Sequence, residues 1–247
     1  LYCIRYGDTI RSFDSKAVFK LIIMKITYLS SSTIPSRTAN SIQVMKMCQA
    51  FAKNGYEIKL IADDGKAQSD IDIWSEYGVE QCFNIELINR PKCGRLGSII
   101  YGRKAAQKLE HSLPDLFYSR CPHSLSWASK QGIPFIYEAH KFPQGFMRKS
   151  IERLLFSREN FKRLVVITGS LKQAYLDNFS KLSAKQIVVA HDGADVVKEV
   201  AIFQPAPTSS PMKVGYAGSL YPGKGMETIM ALAKTAPNHE YHVVGGN

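Results

Sequence analysis

The residues that most directly suggest chemistry lie in KVGYAGSLYPGKG, residues 213–225, where a short apolar strand runs into Gly218-x4-Gly223-Lys224. Glycines let backbone N–H groups approach an anion closely, and a lysine adds a mobile positive charge. A helical pattern follows, so the loop would present its donors at a helix start, where the helix dipole also favours negative charge. Gly218, Ser219, Gly223, Lys224 and Gly225 are the expected phosphate-binding set. A triphosphate loop of this pattern needs Ser or Thr after the lysine to ligate magnesium, and Gly225 stands there instead. The spacing therefore favours a diphosphate held without a metal over a nucleoside triphosphatase. A plain glycine turn carrying a solvated lysine is the competing reading of these residues alone.

Three other stretches carry candidate groups. FIYEAHKFP places His140 at the end of an apolar run, with Glu138 two residues earlier on the same strand face. Such an imidazole can move a proton or bind a ligand, but a lone histidine equally serves structure. Glu138 would orient it or pair with Lys141. SSSTIPSRTANS follows the first strand and offers Arg37, Thr38, Asn40 and Ser41 to an acceptor or a phosphate. Asn40 or Ser41 capping the next helix is the plainer alternative. Asp70-Ile71-Asp72 has the D-x-D spacing of a metal site, yet it opens a predicted helix, where capping explains it better. No metal is expected.

The elements that must position these groups alternate. KITYLSSS, YEIKLIA, CFNIELI, LFYS, PFIYEA, RLVVIT and QIVVA read as strands. The helices between them are expected at 41–55, around 70–77, 96–111, 125–130, 146–157 and 171–179. In the first, Ile42, Met45, Cys48 and Ala52 recur on one face, and Asn54-Gly55 ends it. Alternation of this kind specifies an α/β fold with a mostly parallel, Rossmann-like sheet whose ligands lie beyond the strands' carboxyl ends. That domain is expected over 24–200. FQPAPTSSPM marks a Pro-rich linker at 201–212, and 213–247 begins a second Rossmann-like domain with its first β-α-β unit. Residues 1–23 precede Met24 and are expected to lie outside the fold.

Composition sets limits. The 247 residues are 45% hydrophobic and 21% charged, with a formal net charge of +11, so anionic partners are expected. No apolar run approaches the ~20 residues of a membrane-spanning helix. Zinc-finger, helix-turn-helix and RNP-like patterns are missing, which argues against nucleic acid. The five cysteines show no C-x-x-C spacing and read as reduced thiols of a cytoplasmic protein. Residues 141–163 interleave seven Lys or Arg with Phe142, Phe146, Met147 and Leu154. That pattern suits either a solvated helix face or contact with an anionic membrane surface. The first strand lacks a following G-x-G-x-x-G, which disfavours an NAD-dependent oxidoreductase.

VITGSLKQAYLDNFSKLSAKQIVVAHDGADV, then VGYAGSLYPGKGMETIMALAK and EYHVVGG, resemble the GT-B glycosyltransferases of the fourth family. HDGADV stands where that family commonly has N-G-V-D, and the stretch from Met24 to Ile61 looks like its first βαβ unit. The resemblance implies a retaining, metal-independent transfer of sugar from a nucleotide-sugar donor, which is a substrate and not a cofactor, to a glycan or lipid-linked acceptor. It implies that Lys224 meets the donor diphosphate and that His140 faces the reacting sugar. Ser219 occupies a position where relatives often carry arginine, and their acidic E-x7-E motif would lie beyond Asn247. The thiols and the basic stretch at 141–163 together give the expected location, the cytoplasm, peripheral at the inner membrane surface. A non-catalytic Rossmann-like module binding a nucleotide or anion is the alternative from another class.

Overall fold

The computed structural model describes residues 23–65, 72–108, 113–196 and 211–246. The expected extension at 1–23 and linker at 201–212, and Asp70 and Ile71 of the D-x-D, fall largely or wholly outside these residues. The chain divides into two units, Leu1–Gly193 and Ala194–Asn247.

In the first unit the elements run β1 (Lys25–Ile34), α1 (Ala39–Lys53), β2 (Glu57–Asp64), α2 (Ile73–Tyr77), β3 (Asn84–Ile88), α3 (Gly94–Gln107) and β4 (Leu116–Ser119). There follow α4 (Pro122–Ala128), β5 (Phe135–Ala139), α5 (Phe146–Phe156), β6 (Phe161–Val166), α6 (Gly169–Asn178) and β7 (Ile187–Val189). All seven strands pair in parallel, in the order β3-β2-β1-β4-β5-β6-β7. The order reverses beside β1, and β1 and β4 are neighbours there. In doubly wound sheets the ligand crevice opens at such a switch point.

The central strands β1, β2, β4 and β5 bury both faces, which is why they read as apolar runs and not as alternating ones. Successive side chains still part to opposite sides. Leu29, Ile61, Phe117, Tyr137 and Leu164 pack with residues of α3 to α6, such as Tyr101, Leu125, Phe156 and Tyr175. Tyr28, Leu60, Tyr118 and Val165 pack instead with Val44, Met45 and Cys48 of α1 and Tyr77 of α2.

Two local details differ from the sequence expectation. The buried line of α1 is Ser41, Val44, Met45 and Cys48, whereas Ile42 is 43% exposed. Met45 and Cys48 of the expected line are buried, and the sheet beneath turns the face from Ile42 toward Ser41 and Val44. α4 begins three residues earlier than 125, at Pro122, whose fixed φ and missing N–H suit a first helical position.

The second unit holds β8 (Lys213–Ala217), α7 (Met226–Thr235) and β9 (Glu240–Val244), with β8 and β9 parallel. Every described residue of these three elements is exposed or half-buried.

Candidate active site

The carboxyl ends of β1, β4 and β5 bring together groups that are far apart in sequence. His140 directly follows β5, and its Nε2 is hydrogen-bonded to Glu138 Oε1. Glu138, the fourth residue of β5, is only 4% exposed. Arg120, just beyond β4, reaches the same carboxylate with Nε 3.9 Å from Oε1 and donates from Nη1 to Gln43 Oε1 on α1. Gln43 Nε2 lies 3.3 Å from His140 Nε2 and donates to Asp192 Oδ1 at 2.9 Å. The Tyr28 hydroxyl is 3.5 Å from Glu138 Oε2.

Burial pushes the Glu138 carboxyl up, but hydrogen bonds from His140 and Tyr118 and the Arg120 charge outweigh it and hold the group below its ordinary value. Burial pushes the Tyr28 and Tyr118 hydroxyls well up, and the Glu138 charge adds to this. The carboxylate is therefore ionised among hydroxyls that stay protonated, which keeps it an acceptor. Lys141 is not its partner.

The loop after β1 is organised by its own small polar residues. Thr38 is the N-cap of α1, with its hydroxyl accepting from the Ser41 N–H at 3.4 Å, so neither Asn40 nor Ser41 holds that position. Asn40 Nδ2 donates to Ser32 Oγ at 2.6 Å. Ser41 is fully buried and donates to the Ser36 carbonyl at 2.7 Å, so its hydroxyl shapes the loop and does not face solvent. Arg37 is exposed and pairs with Glu76 at 3.2 Å. Asp72 caps α2, accepting from the Trp74 N–H at 3.1 Å.

In the second unit the loop between β8 and α7 has the backbone that the glycines allow. Gly223 and Gly225 have φ of 83° and 95°, a region where a side chain would be strained. Gly225 is the N-cap of α7 and supplies no side-chain acceptor. Gly218 N–H donates to the Val244 carbonyl at 3.0 Å, and the Tyr216 hydroxyl donates to the Ser219 carbonyl at 2.7 Å. Lys224 is exposed, and its ammonium has no partner among the described residues. Two further N–H groups of the loop are engaged: Lys224 donates to the Tyr221 carbonyl at 3.3 Å, and Gly223 donates to Glu227 Oε1 at 3.2 Å. A carboxylate thus stands where the phosphate reading places an anion.

The model of Glycosyltransferase Family 4 matches residues 41–198. The chain belongs to glycosyltransferase family 4. No curated protein matches the sequence. Among solved structures, the lipopolysaccharide outer core galactosyltransferase WaaB, without ligand, has a TM-score of 0.61 at 15% identity over 91% of this chain and 61% of its own. The Anabaena HepE structure, in complex with UDP-glucose, has a TM-score of 0.58 at 17% identity over 90% of this chain and 61% of its own. A putative UDP-N-acetylglucosamine 2-epimerase from Listeria monocytogenes reaches 0.57 at 10% identity, over 90% and 62%. The chain thus spans less than two thirds of the length of these structures. At such identities the likeness is one of fold, and it extends to an enzyme of different chemistry. Within this family 4 chain, Glu138, His140, Arg120 and Gln43 form the polar centre at the sheet's switch point.

Sequence reasoning singled out His140 and Glu138 but passed over Arg120, Gln43 and Asp192. Arg120 had a readable signal, because it is the first residue beyond a strand's carboxyl end. Asp192 sits in the HDGADV motif, which was noted only for its place in the chain. Gln43 had no local signal.

Proposed function

We propose that the protein transfers a sugar from a nucleotide-sugar donor to a glycan or lipid-linked acceptor, with retention of configuration and without a metal. The observation that carries this reading is Lys224, an exposed ammonium with no partner among the described residues, between two glycines of positive φ at the start of α7, in a chain of family 4. Charge builds on the leaving diphosphate as the glycosidic bond breaks, so a preorganised cation and N–H groups there stabilise the transition state more than the ground state. The N–H groups of Ser219 and Gly225 share that role with Lys224, and that of Gly223 joins them when Glu227 gives way. Gly218 shapes the loop, because its N–H is held by the Val244 carbonyl, and His140 faces the sugar. The acceptor binds the first unit, with Arg37, Thr38 and Asn40 on its side.

The reading also places the protein in the cytoplasm against an anionic membrane surface, through residues 141–163. Phe146, at 82% exposed, and Met147, at 50%, support this, beside an exposed Lys141. Other residues of the stretch serve the core instead: Phe142 packs on Tyr175 and Phe179, and Glu152, Leu155, Phe156 and Phe161 are buried. Among the described residues no helix is long and apolar enough to cross a membrane.

The test is Lys224→Ala in the whole protein, assayed with subsaturating donor. Loss of one charge-assisted contact, about 1.5–3 kcal/mol, should lower kcat/KM about ten- to hundred-fold. Lys224→Arg should recover part of the rate, because the guanidinium places its charge differently. Unchanged transfer in Lys224→Ala would overturn the proposal.

A further inference from the structure

A histidine offers a ligand different chemistry at its two ring nitrogens, and the groups around it decide which one carries the proton. Around His140 those groups decide which nitrogen of the neutral ring carries the proton. Arg120 can only donate, so its contact with Gln43 must be to the amide oxygen. The Gln43 amide nitrogen is thereby turned toward Asp192, Glu138 and His140, where it donates to Asp192 Oδ1 at 2.9 Å. Glu138 is buried among the donors Tyr118, Tyr28 and Arg120, and as a carboxylate it can only accept. Its bond to His140 Nε2 therefore requires the proton to sit on Nε2. On the other side of the ring, Nδ1 has no hydrogen bond among the described residues. Asp192 Oδ1 lies 4.0 Å from it, itself an acceptor on a side chain 58% exposed.

We infer that Glu138 is a positioning residue that holds the neutral His140 imidazole in its Nε2–H form and leaves Nδ1 open as an acceptor for a hydroxyl of the bound sugar. The hydroxyl ligand rests on the proposed function, in which His140 faces the sugar; the protonation state does not. Gln43 is the competing donor. Its amide nitrogen, 3.3 Å from Nε2, would take that nitrogen if the Glu138 charge were removed, and the proton would move to Nδ1.

The experiment is a long-range proton–nitrogen correlation spectrum of the uniformly ¹⁵N-labelled 247-residue chain, recorded at a pH where the ring is neutral. His140→Gln identifies the signals of this ring by their loss. The wild-type ring should show a protonated ε2 nitrogen and an unprotonated δ1 nitrogen, and Glu138→Gln should populate the δ1-protonated form. A δ1-protonated ring in the wild type would overturn the inference, and that spectrum decides the matter even if Glu138→Gln does not fold. A folded Glu138→Gln chain whose ring stays wholly ε2-protonated would also overturn it. No donor sugar is needed, so a failure of the Lys224 test leaves this result standing, and the reverse holds as well.

Discussion

Gln43, in the second turn of α1, and Asp192, beyond β7, meet across 149 residues of sequence, with the Gln43 amide donating to the Asp192 carboxylate at 2.9 Å. The oxygen of the same amide takes the Arg120 guanidinium. One neutral side chain thus ties the segment after β7 to the carboxyl end of β4. Gln43→Ala breaks both bonds. Hydrogen bonds to charged groups contribute about 1.5–3 kcal/mol when buried, and the exposure of Asp192 lowers its share, so a loss of about 1–2 kcal/mol is expected. Urea denaturation measures it. An unchanged midpoint would show that the amide bridges nothing of consequence.

Two buried carboxylates should respond to pH with opposite signs. Glu138 has its pKa lowered, so its contribution is complete above the unfolded value, about 4.3, and is lost as pH falls through the lower folded value. Glu152 is fully buried; burial raises its pKa, and bonds from Tyr137 at 2.8 Å, Tyr175 at 2.9 Å and Arg148 at 3.4 Å offset this only in part. Between its unfolded and folded values the native state binds more protons, so stability falls as pH rises through that window. Denaturation across a pH series should show Glu138→Gln flattening the acid loss and Glu152→Gln removing the fall. Responses of the same sign in the two variants would refute the assignment.

α3 and α4 approach through a glycine. A Cβ added at Gly102 would lie 2.9 Å from the backbone carbon and oxygen of His123, and backbone cannot rotate away. Gly102→Ala gains about 1 kcal/mol of helix propensity but incurs overpacking of about 1–3 kcal/mol, so the melting temperature should fall. Gly169→Ala, whose Cβ meets nothing within 4 Å, is the control and should not lower it. Equal melting temperatures in the two variants would show that the helices part freely.

The Glu227 carboxylate, held by the Gly223 N–H at 3.2 Å, repels any anion at the start of α7. Removing a charge at a helix N-terminus changes the local energy by about 0.3–1 kcal/mol, which corresponds to about a two- to five-fold change in affinity. Glu227→Gln should therefore tighten the binding of inorganic pyrophosphate, read by calorimetry, and Lys224→Ala should weaken it. Weaker binding in Glu227→Gln would mean that the carboxylate helps to build the loop and does not compete for it.

What the sequence alone determined about this protein is whatever depends on local chain chemistry. The parallel sheet was legible because strands buried on both faces must be apolar throughout, and the intervening helices show their own period. The loop at 218–225 was legible because positive φ at Gly223 and Gly225 calls for glycine in any context. His140 was legible from its place at a strand's carboxyl end. The tertiary structure alone decided the rest. The buried face of α1 keeps Met45 and Cys48 but turns from Ile42 to Ser41 and Val44, because a helical period leaves its exact phase to whatever lies beneath. The cap passed to Thr38, since three neighbouring residues could each serve and the backbone at only one of them is extended. The partners of Glu138 followed from strand order: placing β4 between β1 and β5 sets Arg120 beside both Gln43 and Glu138. Nothing in the chemistry of a lone arginine or glutamine announces such a neighbour, because the contact is created by which strands pair, and pairing minimises the free energy of the whole sheet.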